Sequence, residues 1–277
     1  MKAVRKNTFN NDIIFCDGHC NTGKSMISKI IEGFEGVEIS KEDEQFEVTQ
    51  EIYSLGKIEL DAAIVLVQIW ADRCLNYQMV GRQVNTRPDD VTTLYTYPYP
   101  GKYIKRMFDG ERSNVTERIN KEKPIYQSMT QNAVLYPELY FGAFGDRLKI
   151  IYIKRDLDTT VDAITSRGFG ERIGTDPSDI VPTFEYKNTI VPFYAKEWPD
   201  DYINMTPRER IYRWVKQEYE MIDKIYEKNK YRKNVLFIDF EKFVKNPYPY
   251  LDKIGELIDR KQTNKMAEIL VRERCPR

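Results

Sequence analysis

The stretch that most constrains the fold is residues 12–36. A short apolar run, DIIFCD, ends at Gly18, and from Lys24 onward the apolar residues fall at helical spacing. Ile27, Ile30, Ile31 and Phe34 share one helix face, and Gly36 supplies a stop signal. Between run and helix lies Gly18-His19-Cys20-Asn21-Thr22-Gly23-Lys24-Ser25, which fits G-x-x-x-x-G-K-[ST]. The spacing carries chemistry. Glycines at 18 and 23 permit backbone angles and close approaches that side chains would block. Consecutive N–H groups can then form an anion nest at a helix N-terminus, where the helix dipole also favours negative charge. Lys24 adds a point charge, and Ser25 a hydroxyl for a phosphate oxygen or Mg²⁺. The loop predicts phosphate binding and is silent on the group transferred. His19, the only histidine, reads either as a proton carrier beside the phosphates or as a loop residue whose ring packs.

Composition narrows the remaining classes. The 277 residues include 43 Lys+Arg and 43 Asp+Glu, so the formal charge is zero and the electrostatic footprint of general nucleic-acid binding is missing. The 41% apolar share is ordinary for a globular chain that buries about three quarters of its unfolded surface. Cys16, Cys20, Cys74 and Cys275 have neither zinc-site spacing nor the density of a disulfide framework. The polar first eleven residues do not read as a signal peptide, and the apolar stretch 62–71 is too short to span a bilayer. A soluble, cytoplasmic protein is the expectation.

Further along, residues 37–39 read as a second short strand and 41–47 as an acidic loop. Residues 58–83 read as a buried helix or helix pair, 87–109 as irregular, and 124–127 as a weak strand followed by a helix through Phe144. LKIIYIK, ending at Lys154, is the strongest strand signal, with a helix from an Asp158 cap to Arg167. Residues 168–205 lack a period and read as a long functional loop. Thr206-Pro207-Arg208-Glu209 is a capping box with proline at the first helical position. It opens a helix that buries Ile211, Trp214, Val215, Ile222 and Ile225. NVLFIDF, from Asn234, is a further core strand, with two helices after it. Strands too apolar to have an exposed face, alternating with helices, predict the α/β class: a parallel sheet flanked by helices. The expected organisation is one domain over 1–277, with a loop-rich, substrate-side insertion at 168–205.

Three pieces together resemble the sulfotransferase family, whose fold is a P-loop α/β sheet: IIFCDGHCNTGKS, KIIYIKRDLDTTVDAITSR (149–167) and NVLFIDFEKFVKNP (234–247). The run KPIYQSMTQNAVLYPELYFGAFGD into the middle strand is also similar. The resemblance implies a 3′-phosphoadenosine 5′-phosphosulfate donor, no required metal, and sulfuryl transfer to a hydroxyl or amine of a small molecule or glycan. Gly18, Cys20, Asn21, Thr22, Gly23, Lys24 and Ser25 would hold the 5′-phosphosulfate, and Arg155 would meet the 3′-phosphate. The family's usual serine eight residues after that arginine is Ala163 here, with Thr165 and Ser166 nearby. The family's loop cation is Asn21 here, its charge moved to Lys24. For a base, the neighbourhood after the second strand offers Glu42 and Glu44, which read equally as a solvated charge run. Gln127 and Gln131 lie where relatives line the acceptor pocket. Arg167, Arg172, Tyr186 and Trp198 along 168–205 suit an adenine or sugar ring. Two other readings stay open: a P-loop kinase using Mg-ATP, favoured by the Gly-Lys-Ser ending and the acidic loop, and a nucleotide-binding protein without catalysis.

Overall fold

In the computed structural model, which describes residues 1–9, 11–109, 114–227 and 229–277, the first strand β1 (Ile13–Asp17) is buried at the centre of a five-stranded parallel sheet. On one side it pairs with β3 (Tyr126–Thr130), and β2 (Lys41–Glu42) lies beyond that. On the other it pairs with β4 (Leu148–Lys154), and β7 (Val235–Asp239) lies beyond. The order β2-β3-β1-β4-β7 puts non-consecutive strands side by side, so each parallel pair needs a crossover.

Side chains alternate across a strand, and here both faces are covered. Ile13, Phe15, Ile150 and Tyr152 enter one core with α2 (Glu44–Ser54), α3 (Leu60–Met79), α5 (Val115–Glu122), α6 (Pro137–Phe144), α7 (Leu157–Ser166) and α10 (Pro207–Glu227). Ile14, Cys16, Ile151 and Ile153 enter the other with α1 (Lys24–Ile31), α11 (Phe240–Lys245), α12 (Tyr248–Ile258) and α13 (Met266–Arg272). That double coverage is why the strands show no polar alternation. Phe15 meets the rings of Phe46, Tyr140 and Phe144 at centroid separations of 5.3, 5.2 and 6.2 Å, so truncating it to alanine costs about 3–5 kcal/mol.

Several boundaries differ from the sequence reading. Residues 37–39 form no strand beyond a single parallel bridge from Val37 to Ile125, and β2 falls in the run expected to be an acidic loop. The cause is Glu38, a buried carboxylate that accepts from Arg106, Lys102 and Tyr103 and so ties this segment to a helix. That helix is α4 (Pro100–Phe108), inside a region read as irregular. Residues 58–83 hold one helix, α3. The cap of α7 is Asp156, which accepts from the Thr159 N–H at 2.9 Å, and not Asp158. Residues 168–205 are largely structured, as α8 (Phe169–Arg172), an antiparallel hairpin of β5 (Thr183–Tyr186) and β6 (Thr189–Pro192), and α9 (Pro199–Asn204). The hairpin turn places Lys187 and Asn188 at φ 47° and 61°, a left-handed pair that the sequence signals with Lys-Asn and without the usual glycine. The capping box is present: Thr206 N–H donates to Glu209 Oε2 at 2.8 Å, and Glu209 N–H to Thr206 Oγ1 at 3.4 Å. Three helices, not two, follow β7. No helix among the described residues is long and apolar enough to cross a membrane.

Candidate functional site: a cationic cleft beside an acidic pocket

The loop from β1 to α1 has its backbone in the left-handed range at Gly18 (φ 143°), Asn21 (61°) and Gly23 (95°). Both glycines are sterically required. A Cβ on Gly18 would lie 2.6 Å from the Ile153 carbonyl oxygen, and one on Gly23 would lie 2.2 Å from the Phe240 ring. The loop is therefore seated on the end of β4 and the start of α11. Thr22 Oγ1 closes it by donating to the His19 carbonyl at 2.9 Å. No side chain caps α1, so its first N–H groups stay available to an anion.

These N–H groups open toward a cleft of about 780 Å³ at the carboxyl edge of the sheet, where ligands of parallel sheets gather. Lys24, Ser25, Arg155, Ser166, Arg167 and Arg277 line it, so four cations face one carboxylate, Glu42. Arg155 Nη1 donates to the Asn21 carbonyl at 2.8 Å, and Arg167 Nη1 reaches Asn21 Oδ1 at 3.4 Å. Arg155 Nε is buried without a hydrogen-bond partner and stands 3.7 Å from Glu241 Oε1, an ion-pair distance. Ser166 donates to the Ala163 carbonyl at 2.9 Å on the same wall. Lys24 Nζ donates to the Thr130 carbonyl at 2.7 Å, which draws the ammonium between β1 and β3. Cys20 also lines the cleft, donating to Gln131 Oε1 at 3.2 Å, and burial pushes its thiol pKa up.

A smaller pocket of about 180 Å³ adjoins the cleft and shares Glu42, Gln131 and Phe169 with it. Its wall is acidic: Glu44, Glu47 and Glu51 come from one face of α2, and Glu218 from α10. Burial pushes Glu47 up to about 7, against the opposing pull of the Lys24 ammonium. Burial, then the neighbouring Glu47 and Glu218, raise Glu51 well above the carboxylate range. The one cation in the wall among the described residues, Arg172, is 2.7 Å from Asp179 Oδ1, an ion pair that offsets its charge. Tyr194 and Trp214 stack at 4.1 Å and supply aromatic surface. Asp17, at the end of β1, positions the far wall: it accepts from Thr130 Oγ1 and from the N–H groups of Ala133 and Val134 at 2.8–3.0 Å. Those bonds fix the turn that presents Gln131 and Asn132, while burial raises the Asp17 pKa.

The residues singled out from the sequence are thus distributed unevenly. Cys20, Asn21, Gly23, Lys24, Ser25, Arg155 and Ser166 share the cleft wall, whereas Gly18 and Thr22 shape the loop from outside it. Glu42 is exposed at the junction of the two hollows, and Glu44 is exposed on the pocket rim. Of the two readings left open for it, His19 takes the packed ring. Its ring is fully buried against Trp214 and Tyr219, with Nε2 2.7 Å from Glu218 Oε2, and it lines neither hollow. Gln131 lines both hollows, while Gln127 is buried and donates to the Ser28 carbonyl. Glu47, Glu51, Glu218 and Arg277 were missed. The spacing of Glu44, Glu47 and Glu51 on one helical face was the available signal, while nothing local marks Glu218 or Arg277. Among the described residues, no three His, Cys, Asp or Glu side chains converge closely enough to hold a metal ion.

No family model and no curated protein matches the chain. Similar solved structures include the sulfotransferase domain from the curacin biosynthetic pathway, at TM-score 0.48 and 11% identity over 95% of this chain and 78% of that one. A sulfotransferase from Mycobacterium avium is similar at TM-score 0.47 and 9% identity, over 96% of this chain and 68% of that one. One from Alicyclobacillus acidocaldarius is similar at TM-score 0.41 and 14% identity, over 94% and 83% of the respective chains.

Proposed function

We propose that the chain is a sulfotransferase that carries a sulfuryl group from 3′-phosphoadenosine 5′-phosphosulfate to a hydroxyl or amine of a small molecule or glycan. The observation that carries this reading is the cleft, where cations arrive from two separate elements. The loop brings Lys24 and Ser25, and the β4–α7 region brings Arg155, Ser166 and Arg167. A donor with anionic groups at both ends of one ribose matches two such stations. The uncapped α1 N-terminus supplies the unfilled N–H donors it would meet.

The donor supplies an activated sulfuryl group whose leaving group is adenosine 3′,5′-bisphosphate. Lys24 and the loop N–H groups neutralise charge that develops on the leaving phosphate, in a site preorganised for it. Arg155 and Arg167 hold the 3′-phosphate through charge-assisted hydrogen bonds, and Ser166 takes the place left by Ala163. As the acceptor oxygen or nitrogen bonds to sulfur, the sulfur–oxygen bond to the phosphate breaks and the acceptor proton passes to a carboxylate. Glu47 suits that step best, since a base with a pKa of about 7 is matched to neutral pH and lies beside the junction of the hollows. Glu42 and Glu44 are the alternatives on the rim. The whole chain acts as one unit, with 168–205 shaping the acceptor side, and the four unpaired, buried cysteines suit the reducing cytoplasm.

Mg-ATP is the competing donor, because Lys24 and Ser25 end the loop as in nucleotide kinases and Glu42 faces the same cleft. A thermal-shift titration separates the two. At about a hundred times its dissociation constant, a ligand adds about 2.7 kcal/mol to the native state. Stabilisation by adenosine 3′,5′-bisphosphate without metal is the expected result. Stabilisation by Mg-ATP alone reassigns the chain as a kinase.

A further inference from the structure

The acidic pocket contains more carboxyl groups than one general base requires. Glu51 is 8% exposed, lines the pocket, and has a buried Oε2 with no hydrogen-bond partner. Asn132, 5% exposed, lines it too. Its Nδ2 donates to Glu218 Oε2 at 2.7 Å, which fixes the amide orientation and leaves Oδ1 buried and unpartnered. With Glu51 ionised both are acceptors, on separate elements that line one small hollow, whose wall also holds the unpartnered Asp179 Oδ2, Arg172 Nε and Tyr194 hydroxyl. A buried acceptor without a donor costs about 1–3 kcal/mol, so the pocket is built for something that brings N–H groups and positive charge. Glu218 is already engaged within the protein. It accepts from Asn132 and from Trp214 Nε1, and stands 2.7 Å from His19 Nε2. Arg172 is committed to Asp179. The stacked Tyr194–Trp214 pair and Phe169 add aromatic surface to the same wall, the surroundings that hold organic cations.

We infer that the acceptor is a small molecule bearing a primary ammonium group, which this pocket binds through Glu51, Asn132 Oδ1 and the aromatic wall. An ammonium has three donors and no acceptor, the complement of what the pocket offers. The ammonium is the anchor, and the nucleophile is a hydroxyl or second amine that reaches the cleft past Gln131 and Glu47. The proposal rests on the sulfuryl-transfer reading for what happens to the acceptor, but not for its binding.

The test is calorimetric titration of the full chain, with and without adenosine 3′,5′-bisphosphate, against three probes on one ring. Tyramine carries the cation, 4-ethylphenol is neutral, and 3-(4-hydroxyphenyl)propionate is anionic. Tyramine should bind about tenfold tighter than 4-ethylphenol, and the propionate weakest of all. Glu51→Gln should remove most of tyramine's advantage and leave bisphosphate affinity as in the parent. Equal affinity for tyramine and 4-ethylphenol, preference for the anion, or no tyramine binding below about 10 mM overturns the proposal. So does a folded Glu51→Gln protein that keeps the preference. The charge order is read on the parent protein, so it decides even if the variant fails to fold. A preference for tyramine in a protein that ignores the bisphosphate supports the ammonium pocket and sinks the sulfuryl-transfer reading. Bisphosphate binding without the preference does the reverse.

Discussion

The two hollows share a wall and oppose each other in charge. The cleft gathers Lys24, Arg155, Arg167 and Arg277 around one carboxylate, whereas the pocket gathers four α2 and α10 glutamates with Glu42 around one ion-paired arginine. The cleft is built around the β1–α1 loop and the segment following β4, so the sheet positions its two main cation-bearing elements. The pocket is made of side chains from helices and from 168–205, so its geometry depends on how those elements pack. Between them, Lys24 opposes the rise that burial gives Glu47. One site thus keeps a cation and a titrating carboxylate close enough to influence each other, which suits a reaction that needs an anion held and a proton removed.

The largest test of this division is Lys24→Ala, which should weaken bisphosphate binding and lower turnover about a thousandfold while tyramine binding persists. Equal losses in both hollows would mean that the loop supports the fold and not the donor alone. Next is Glu47→Gln, expected to lower turnover about a hundredfold with bisphosphate affinity unchanged. The parent rate should climb as pH rises through about 7, where Glu47 becomes the ionised base, and the variant should lose that limb. Survival of the limb would pass the base role to Glu42 or Glu44. Arg155→Ala comes third: it should weaken adenosine 3′,5′-bisphosphate about tenfold in direct titration and leave the probe series untouched.

A smaller effect concerns stability. The folded pKa of Glu47, about 7, lies above its ordinary 4.5, so the folded state holds the extra proton between those values. Stability from this group is complete below about 4.5 and falls as pH rises toward 7. Glu47→Gln should therefore melt about 2 °C above the parent at pH 8 and show no gain at pH 4. The smallest expected change is a control outside both hollows. Thr206→Ala removes the α10 capping box for about 1 kcal/mol, read as a melting shift, with both ligand affinities preserved.

Most of the cleft was legible before any coordinates. Gly18–Ser25 has its strand before it and its helix after it, and Arg155 follows the strand whose bounds were read residue for residue, Leu148–Lys154. The errors have local causes. Glu38 made a strand-like triplet into a buried ligand for Arg106, and a Lys-Asn turn concealed a hairpin that glycine would have announced. His19 lies in the loop sequence but packs against Trp214 and Tyr219, with Nε2 beside Glu218, contacts from a helix about two hundred residues along the chain.

The sequence by itself determined the doubly covered parallel sheet and the strand–loop–helix at Gly18–Ser25, since both follow from short-range rules: apolar runs without a solvent face, and glycines where the turn needs positive φ. Only the tertiary structure decided the acidic pocket. Glu51 and Glu218 are 167 positions apart along the chain, and each reads alone as an ordinary helix-surface charge. The fold brings α2 and α10 to the walls of one hollow, buries both carboxyl groups, and leaves Glu51 Oε2 without a partner. Desolvation is a property of the assembled neighbourhood, and no residue has it in the sequence.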